Sequence, residues 1–465
     1  MLRPLGNTSL SCYPLGFGSY RVNEGNPVHE AALRSYLDNG GNLVDTSSNY
    51  GDGLSEILVG RVVKDFVREK IIVVTKAGYM QGQNLSLAKT RAFPEVVEFG
   101  EGLWHCIHPE FLESQVEQSL RRMKLEVLDV FLLHNPEYFI NYTARFDPIH
   151  EDVLDIFYGR IRKAFEFLEA EVQRGTIGAY GISSNHFGFH LKDRARVSVE
   201  RILKEAQAVS PDHHCRVIQM PLNLFESGGA LFPSNNGQTV LDFCRTNGLG
   251  VLINRPLNAI HGQRMVRLAD FVKGEQPGPE ALDEKLTDLA ETEHDYLQSF
   301  GGDAFGVREE GLAAYLKSLV LELSSADQWE GALQQFIIPP VTQWLRQAQR
   351  LNGERAGWPD WQKRYVAVVN QALDDLQRFL QAANQVESDR IRTLVYDAGY
   401  PETGATLSQI ALSLVLNLEG VSGVLCGMRS PAYVRDAVGA LNLPAIESKK
   451  ILASVSERML TSNLE

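Results

Sequence analysis

The sequence predicts an α/β protein folded as a (β/α)8 TIM barrel, with an N-terminal β-hairpin and an all-α inserted subdomain. Between residue 12 and about residue 260, short apolar runs rich in β-branched residues alternate with longer charged segments of helical periodicity. An eighth strand and helix follow only after residue 420. Eight parallel strands separated by helices favour a closed barrel over a doubly wound sheet, which more often has fewer strands and a Gly-rich first turn.

Each barrel element is placed by its apolar run or its helical spacing. The strands are predicted at residues 15–18, 42–45, 71–75, 127–133, 179–183, 215–221, 250–254 and 423–426. The helices are predicted at residues 28–39, 54–66, 109–124, 153–174, 197–209, 238–247, 406–418 and from 431 onward. Gly6 and Asn7 form a turn signal within residues 3–12, which predicts a hairpin ahead of the first barrel strand.

A long interruption separates the seventh and eighth units. The barrel is predicted to comprise residues 1–261 and 404–465, and the interruption to be a helical insertion at 262–403. So long a connection needs structure of its own, and its segments 281–300, 311–323, 341–351 and 361–386 have helical periodicity. Four of the five tryptophans lie in it, which predicts a small core: Trp329, Trp344, Trp358 and Trp361. Because it follows the seventh strand, we expect it on the catalytic face as an active-site lid.

Composition excludes several classes of partner. The chain has 45 Lys and Arg against 58 Asp and Glu, a net charge of −13, which disfavours nucleic acid and anionic membranes. No apolar run approaches the roughly 18 residues of a membrane span, and the first 20 residues lack a signal pattern. The five cysteines are far apart and show no CxxC spacing, which indicates reduced thiols. We therefore expect a soluble, cytoplasmic protein.

Titratable side chains follow three neighbouring strands. Asp45 ends the second strand, Lys76 ends the third and His134 ends the fourth, while Tyr50 lies five residues beyond Asp45. Active sites of parallel barrels form at the carboxyl ends of the strands, and charges placed there are costly unless they are paired. We expect Asp45 to hold Lys76 as a cation, and Lys76 to lower the pKa of Tyr50 from about 10. Tyr50 would then donate a proton near neutral pH.

The blocks around these residues resemble those of the aldo-keto reductase superfamily. The resemblance covers nearly all of the chain outside the interruption and includes DTSSNYGDGLSEILVG, VVTKAG, LDVFLLH, GAYGISSN, VIQMPLN, VLINRPL and LSQIALSLVLNLEGVSGVLCGMRSP. It implies an NAD(P)H-dependent oxidoreductase that transfers a hydride between nicotinamide and a carbonyl or alcohol substrate: an aldehyde, ketone or sugar. The family's catalytic positions fall on Asp45, Tyr50, Lys76 and His134. Tyr50 would be the general acid/base, tuned by Lys76 and Asp45, and His134 would orient the carbonyl oxygen.

The resemblance also implies a cofactor site. Ser183 and Gln219 match the positions that hold the nicotinamide carboxamide. Further cofactor positions fall on Ser184, Asn185, Asn254, Arg255, Leu257, Gly427, Arg429 and Ser430, and a substrate-pocket position falls on Tyr20. NADP(H) is favoured because a guanidinium at Arg429 suits a 2′-phosphate, with NAD(H) as the alternative.

The chain departs from the family at two points of this site. Asn254 stands where an aromatic ring often lies under the nicotinamide, so stacking there must come from elsewhere, such as the guanidinium of Arg255. Tyr433 and Ala437 replace frequent Gln and Asn contacts to adenine.

Three further interpretations concern a metal site, a second class of function and an aldolase. His105, Cys106 and His108 have a metal-like spacing, but no fourth ligand is evident and the inferred chemistry needs no metal. A second class of function is a cofactor-sensing regulatory or scaffold subunit, similar to channel-associated members of the family, whose helical insertion docks a protein partner. Those family members keep all four catalytic residues, so the presence of these residues does not exclude the second class of function. An aldolase with Lys76 as a Schiff-base nucleophile is disfavoured because Asp45 and Tyr50 would have no role.

Overall fold

The computed structural model of the chain describes residues 2–262, 264–271, 277–301, 310–323, 329 and 331–461. The chain divides into two compact units, one formed by Met1–Ala269 and Leu394–Glu465 and the other by Asp270–Thr393. Within the described part, no helix has both the length and the apolar character that crossing a membrane requires. All five cysteines are buried, and none forms a disulfide.

The first unit contains the predicted barrel. Its strands are β1 (Arg3–Pro4), β2 (Ser11–Cys12), β3 (Leu15–Gly18), β4 (Leu43–Asp45), β5 (Ile72–Ala77), β6 (Tyr79–Met80), β7 (Val97–Gly100), β8 (Leu103–His105), β9 (Leu128–His134), β10 (Ile177–Ser183), β11 (Cys215–Pro221), β12 (Gly250–Asn254), β13 (Asn258–His261), β14 (Arg264–Arg267) and β15 (Gly423–Gly427). The closed barrel has the order β3-β4-β5-β9-β10-β11-β12-β15, with parallel pairing throughout. β1 and β2 form the predicted antiparallel hairpin. The barrel and the hairpin are thereby confirmed.

Eight helices of the first unit lie close to their predicted positions: Pro27–Asp38, Leu54–Val63, Pro109–Met123, Glu151–Arg174, Val199–Val209, Val240–Thr246, Leu407–Leu416 and Pro431–Gly439. Four further helices were not predicted: Gly82–Thr90, Tyr138–Thr143, Gly228–Leu231 and Ser448–Thr461. There are 3-10 turns at Tyr50–Gly53, Arg68–Lys70 and Ala440–Asn442. Local signals explain where several begin. Asn26 caps the first helix by accepting from the amides of Val28 and His29, and Thr406 forms a capping box with Gln409.

A small sheet between β5 and β9 was not predicted. Strands β6, β8 and β7 pair antiparallel in that order, and a helix lies between β6 and β7. Strands of two to four residues are too short to show an alternating pattern, so the sequence gives no periodic signal for them. This small sheet packs on a buried apolar cluster formed by Met80, Phe93, Cys106 and Phe111. The sheet matters for function because its strand β6 contains Tyr79.

The second unit is helical. Its helices are Pro279–Phe300, Gly311–Glu322, Ile338–Asn352 and Trp358–Asp397, the last of which continues past the boundary of the unit, and a π-helical turn spans Leu333–Ile337. The four tryptophans predicted to form a core are buried. Trp361 stacks on Trp358 with ring centroids 5.3 Å apart, and on Tyr365 at 5.0 Å.

The structure differs from the prediction at both ends of the insertion. Residues 264–267 form β14, which pairs antiparallel with β13, so the predicted all-α segment begins with a strand. Gly262 takes a φ of +61° in the connection between these strands, a conformation that glycine adopts at little cost. At the other end, residues from Leu394 onward belong to the first unit. The second unit is therefore shorter than the interruption inferred from the sequence.

Gly181 lies where the barrel wall leaves no room for a side chain. β10 shifts register against β11 between Tyr180 and Gly181, and a Cβ at Gly181 would lie 1.7 Å from the carbonyl oxygen of Val217. Gly181→Ala must force these strands apart, so we expect it to lower the free energy of unfolding by about 3 kcal/mol or more in urea titrations followed by circular dichroism. Gly159→Ala is the control, because a Cβ there meets nothing within 4 Å. Equal urea midpoints for Gly181→Ala and wild type would contradict this close approach.

Glu293 makes the stability of the second unit depend on pH. Its carboxylate is 6% exposed and accepts from the amides of Leu312 at 2.9 Å and Ala313 at 3.2 Å. Burial outweighs these bonds and raises the pKa of Glu293 to about 7. The folded unit thus binds this proton more tightly than the unfolded chain does. Its stability should therefore fall as pH rises from about 4.5 through 7, by about 3 kcal/mol.

Tryptophan fluorescence during urea unfolding reports mainly on this unit and measures the effect. The stability lost between pH 5 and pH 8 should largely disappear in Glu293→Gln, and should persist in Glu291→Gln, a change at an exposed position of the same helix. A loss of the same size in Glu293→Gln and wild type would show that another group is responsible.

Candidate active site

Four side chains predicted from the sequence converge at one end of the barrel. Asp45 is the last residue of β4, His134 is the last residue of β9, and Lys76 is the penultimate residue of β5. Tyr50 begins the 3-10 turn that follows β4. Because the barrel strands are parallel, their carboxyl ends share one mouth. The structure thus brings Asp45, Tyr50, Lys76 and His134 together.

The ammonium group of Lys76 lies at the centre of this cluster. It is fully buried and donates to Asp45 Oδ1 at 2.7 Å, to the carbonyl oxygen of Thr46 at 2.7 Å and to the hydroxyl oxygen of Tyr50 at 3.3 Å. An ammonium has three donors, and these bonds use all of them. Because Tyr50 accepts from Lys76, its own hydroxyl proton can be donated to a ligand.

Burial and pairing set the protonation states of this pair. Burial alone would lower the pKa of Lys76, but Asp45 and Tyr50 together raise that pKa above its ordinary value, so Lys76 is a cation at neutral pH. Burial raises the pKa of Tyr50, and the attraction of Lys76 offsets only part of this rise. The expectation that Lys76 lowers the pKa of Tyr50 below its ordinary value is therefore wrong. Removing a phenolate from water costs more free energy than its attraction to the Lys76 cation returns. Tyr50 keeps its proton at neutral pH.

The two residues assigned to the nicotinamide carboxamide are linked to the same cluster. Ser183 ends β10 opposite Gln219 of β11, and its hydroxyl donates to Gln219 Oε1 at 2.9 Å. Gln219 Nε2 donates to Asp45 Oδ2 at 2.8 Å. A continuous chain of hydrogen bonds therefore connects Ser183, Gln219, Asp45, Lys76 and Tyr50. The link between Gln219 and Asp45 joins distant parts of the sequence and leaves no local signal.

Tyr79 is a site residue that the sequence analysis missed. Its ring meets that of His134 edge-on with centroids 4.7 Å apart, and its hydroxyl accepts from Asn135 Nδ2 at 2.6 Å. His105 Nε2 donates to the carbonyl oxygen of His134 at 2.7 Å. Burial, with Lys76 and His105 nearby, lowers the pKa of His134 well below its ordinary value, so the imidazole is neutral. The one sequence feature that points to Tyr79 as a site residue is its position two residues after the end of β5.

Tyr20 forms an outer wall of this mouth. Its ring packs edge-on against Tyr50 with centroids 5.2 Å apart, and the residue is 64% exposed. The substrate-pocket role that the resemblance implies for Tyr20 stays a prediction.

The loop after β10 is held by a buried carboxylate. Ser184 Oγ accepts from the amide of His186 at 3.1 Å, and the amide of Asn185 donates to Glu137 Oε1 at 2.8 Å. Glu137 is buried, and this burial raises its pKa. Glu137 was absent from the predicted site, and it fixes the backbone next to Ser184 and Asn185.

The end of β12 carries an unusual backbone conformation. Arg255 has a φ of +51°, which is uncommon for a residue with a side chain. Its Nη2 donates to Glu226 Oε1 at 2.5 Å, and its carbonyl oxygen accepts from Asn223 Nδ2 at 3.0 Å. The guanidinium of Arg255 is thus neutralised and fixed by Glu226, a partner that the sequence did not indicate.

Unpaired polar atoms surround this strand end. Asn254 Oδ1, Arg255 Nε and Asn258 Oδ1 are buried and have no hydrogen-bond partner among the described residues. Such atoms are uncommon in folded proteins, and a polar ligand here would satisfy both the donor and the acceptors. Leu257 is half-buried between them, and its carbonyl oxygen accepts from the amide of Leu268 at 2.9 Å.

The end of β15 offers an open, positively polarised edge. A Cβ at Gly427 would meet nothing within 4 Å. Ser430 caps the next helix by accepting from the amide of Tyr433 at 3.3 Å. A helix N-terminus favours anions, and Arg429 directly precedes the capping residue Ser430 in the sequence. Tyr433 is 53% exposed, so its ring can contact a ligand.

The residues with metal-like spacing have other partners. His105 donates to the carbonyl oxygen of His134, Cys106 donates to that of Pro94 at 3.4 Å, and His108 caps a helix. In the part of the chain that the structure describes, no group of three His, Cys, Asp or Glu side chains is arranged to hold a metal ion.

A closed parallel barrel with a buried Asp-Lys pair under a tyrosine at its mouth defines the class of this protein. Residues 14–259 match the sequence model of the aldo/keto reductase family. The chain belongs to the aldo/keto reductase family.

Individual relatives are distant and match only part of the chain. An NADH-specific methylglyoxal reductase of Escherichia coli is 26% identical over 197 residues, covering 41% of this chain and 54% of that protein. The aldo-keto reductase YhdN of Bacillus subtilis is 26% identical over 222 residues, covering 48% of this chain and 49% of that protein. An L-galactose dehydrogenase of Arabidopsis thaliana is 30% identical over 145 residues, covering 30% and 39%. The chain thus spans about half the length of the first two.

A solved structure shares the fold. The glycerol dehydrogenase of Gluconobacter oxydans superposes with a TM-score of 0.50 at 18% identity, covering 100% of this chain and 97% of that one.

Proposed function

We propose that this protein is an NAD(P)H-dependent oxidoreductase that transfers a hydride between nicotinamide and a carbonyl or alcohol substrate, with Tyr50 as the general acid/base. The observation that carries the proposal is the contact between the hydroxyl of Tyr50 and the fully coordinated ammonium of Lys76 at the barrel mouth. The similar proteins named above include a methylglyoxal reductase and an L-galactose dehydrogenase, which supports an aldehyde, ketone or sugar as substrate.

The residues at the strand ends fit a dinucleotide. Ser183 and Gln219 offer buried polar groups to a carboxamide, and the unpaired atoms of Asn254 and Arg255 offer both an acceptor and a donor. Arg429 and the helix capped by Ser430 suit a phosphate at the far end. A bound nicotinamide supplies a hydride to a carbonyl carbon or accepts one from an alcohol.

Side chains of this protein transfer the proton and stabilise the negative charge that the transfer leaves on Tyr50. In reduction, the hydroxyl of Tyr50 donates its proton to the oxygen of the substrate carbonyl, and in oxidation the phenolate takes it back. The Lys76 ammonium stabilises the phenolate left on Tyr50, and Asp45 holds Lys76 in place. The rings of Tyr20 and Tyr79 flank this exchange, since Tyr20 packs against Tyr50 and Tyr79 packs against His134.

Fluorescence titration of the full chain with NADPH and with NADH tests the proposal, followed by NADPH and NADH oxidation with a panel of aldehydes, ketones and sugars. The proposal predicts saturable binding and turnover of at least one carbonyl. We propose NADP(H) as the preferred cofactor because of Arg429, so NADPH should bind more tightly than NADH. Tight binding without turnover of any carbonyl would favour the cofactor-sensing subunit instead, and absence of binding would overturn the proposal.

A further inference from the structure

The helical second unit contains a cavity of its own. The cavity has a volume of about 400 Å³, and every described residue that lines it belongs to the second unit. Its walls are the helix Ile338–Asn352, the π-helical turn before that helix, and the helix Trp358–Asp397. A volume of this size is within the usual range for small-molecule sites. The cavity is therefore large enough for a small organic ligand.

Apolar side chains at helical spacing form most of the wall. They repeat every three or four residues along each helix: Val341 and Leu345 on the first, and Val366, Val369 and Leu373 on the second. Val341 and Val369 are buried, whereas Val366 is 39% exposed and lies where the cavity opens to solvent. An apolar group that enters this cavity leaves water and covers these side chains, which is favourable in proportion to the apolar area buried. The wall thus suits the apolar body of a ligand.

The charge at this cavity is negative. Among the described residues that line it, Asp374 is the only Asp, Glu, Lys, Arg or His. Burial raises the pKa of Tyr365 well above its ordinary value, so the phenol in the wall adds no charge. The cation four residues beyond Asp374 is Arg378, which pairs with Asp375 instead. A ligand ammonium would therefore be attracted to this exposed carboxylate, whereas a ligand carboxylate would be repelled.

We propose that this cavity binds a small amphipathic amine, whose apolar body lies between the two helices and whose ammonium group lies beside Asp374. The apolar wall provides the affinity, and the single carboxylate selects a cation over an anion. A second copy of the chain is a less suitable occupant, because each copy has a net charge of −13. The inference does not depend on the proposed function, since none of the residues proposed for hydride transfer lines this cavity.

Three ligands with the same phenyl group and nearly the same chain test the selection. 4-Phenylbutylamine, 4-phenylbutanol and 4-phenylbutyrate are titrated into the full chain by isothermal calorimetry at pH 7 without cofactor. We expect one site per chain and a dissociation constant of about 0.1 to 1 mM for the amine. The amine should bind about threefold more tightly than the alcohol and about tenfold more tightly than the carboxylate, because an exposed charge pair contributes little.

Tryptophan emission shows whether the ligand occupies this cavity. Tyr365 lines the cavity, and its ring stacks on Trp361 with centroids 5.0 Å apart and meets Trp344 edge-on at 5.5 Å. The amine should change the emission with the same midpoint that calorimetry gives. Val366→Phe places a larger side chain at the opening and should abolish binding of all three ligands, with circular dichroism confirming an unchanged helical content.

Charge variants at the exposed position 374 test the role of the carboxylate. Asp374→Asn should weaken the amine by about threefold and leave the alcohol unchanged, and Asp374→Lys should make the carboxylate bind more tightly than the amine. Glu387→Gln is the matched control, because Glu387 is an exposed carboxylate of the same helix that does not line the cavity. It should bind all three ligands as wild type does.

Several results would overturn the proposal. They are absence of amine binding at millimolar concentrations, equal affinities for the three ligands in wild type, an unchanged order of affinities in Asp374→Lys, and unchanged binding by a folded Val366→Phe. Self-association in sedimentation velocity that Val366→Phe removes, together with absence of amine binding, would show that this face joins two copies of the chain instead. No measurement in this set uses the cofactor or turnover, so a failure here leaves the proposed oxidoreductase function intact.

Discussion

Tyr50→Phe is expected to lower kcat/KM for carbonyl reduction by about a hundred- to ten-thousand-fold, the usual contribution of general acid catalysis. The change keeps the aromatic ring, which packs against Tyr20, and removes only the hydroxyl that Lys76 contacts. Cofactor affinity, measured by fluorescence titration, should change by no more than about threefold, which corresponds to a binding free energy difference of less than about 1 kcal/mol.

The pH dependence of reduction follows from the same group. Burial raises the pKa of Tyr50, so the proton donor stays protonated through neutral pH, and kcat/KM should decline only as pH rises past the ordinary tyrosine value of about 10. Tyr50→Phe should lack this decline. Tyr13→Phe, a change just before the first barrel strand, is the control and should retain both rate and profile. Activity of Tyr50→Phe within about tenfold of wild type would exclude Tyr50 as the proton donor.

Lys76→Met is expected to reduce both activity and stability. It removes the cation that stabilises the phenolate of Tyr50, which should lower kcat/KM by about a hundredfold or more. It also leaves Asp45 buried without its partner, which should lower the free energy of unfolding by about 3 kcal/mol. Urea unfolding and steady-state kinetics measure the two effects separately.

The double variant Asp45→Asn/Lys76→Met separates structure from chemistry. Replacing both charges removes the uncompensated carboxylate, so most of the stability should return while the activity stays low. Recovery of activity together with stability would show that Lys76 acts only as a structural ion pair.

Much of the barrel could be predicted from the sequence because its strands are buried on both faces. The run at residues 71–74 is continuous and apolar, and the strand ends fell within a residue or two of the prediction. The convergence of Asp45, Tyr50, Lys76 and His134 could be predicted because strand-end placement is encoded locally, while their catalytic roles rest on the family resemblance. The short strands β6 to β8 carry too little periodicity to be seen, and Tyr79 was missed with them.

The contacts that tune the site could not be predicted from the sequence. The bonds from Gln219 to Asp45, from Asn185 to Glu137 and from Arg255 to Glu226 join residues that only the closed barrel brings together. The pKa of Tyr50 was predicted in the wrong direction because the attraction of Lys76 is visible in a sequence pattern, whereas the extent of burial is not.

Deuterium transfer from the cofactor shows whether this protein moves a hydride with the help of Tyr50. The full chain is incubated with NADPH, and separately with NADH, deuterated at C4 on either face, together with a carbonyl substrate, and the alcohol is analysed by mass spectrometry. We expect one deuterium on the carbinol carbon from one face of the ring, formed by wild type at a rate that falls about a hundred- to ten-thousand-fold in Tyr50→Phe. An alcohol without deuterium from either face, or unchanged formation by Tyr50→Phe, would contradict hydride transfer assisted by Tyr50.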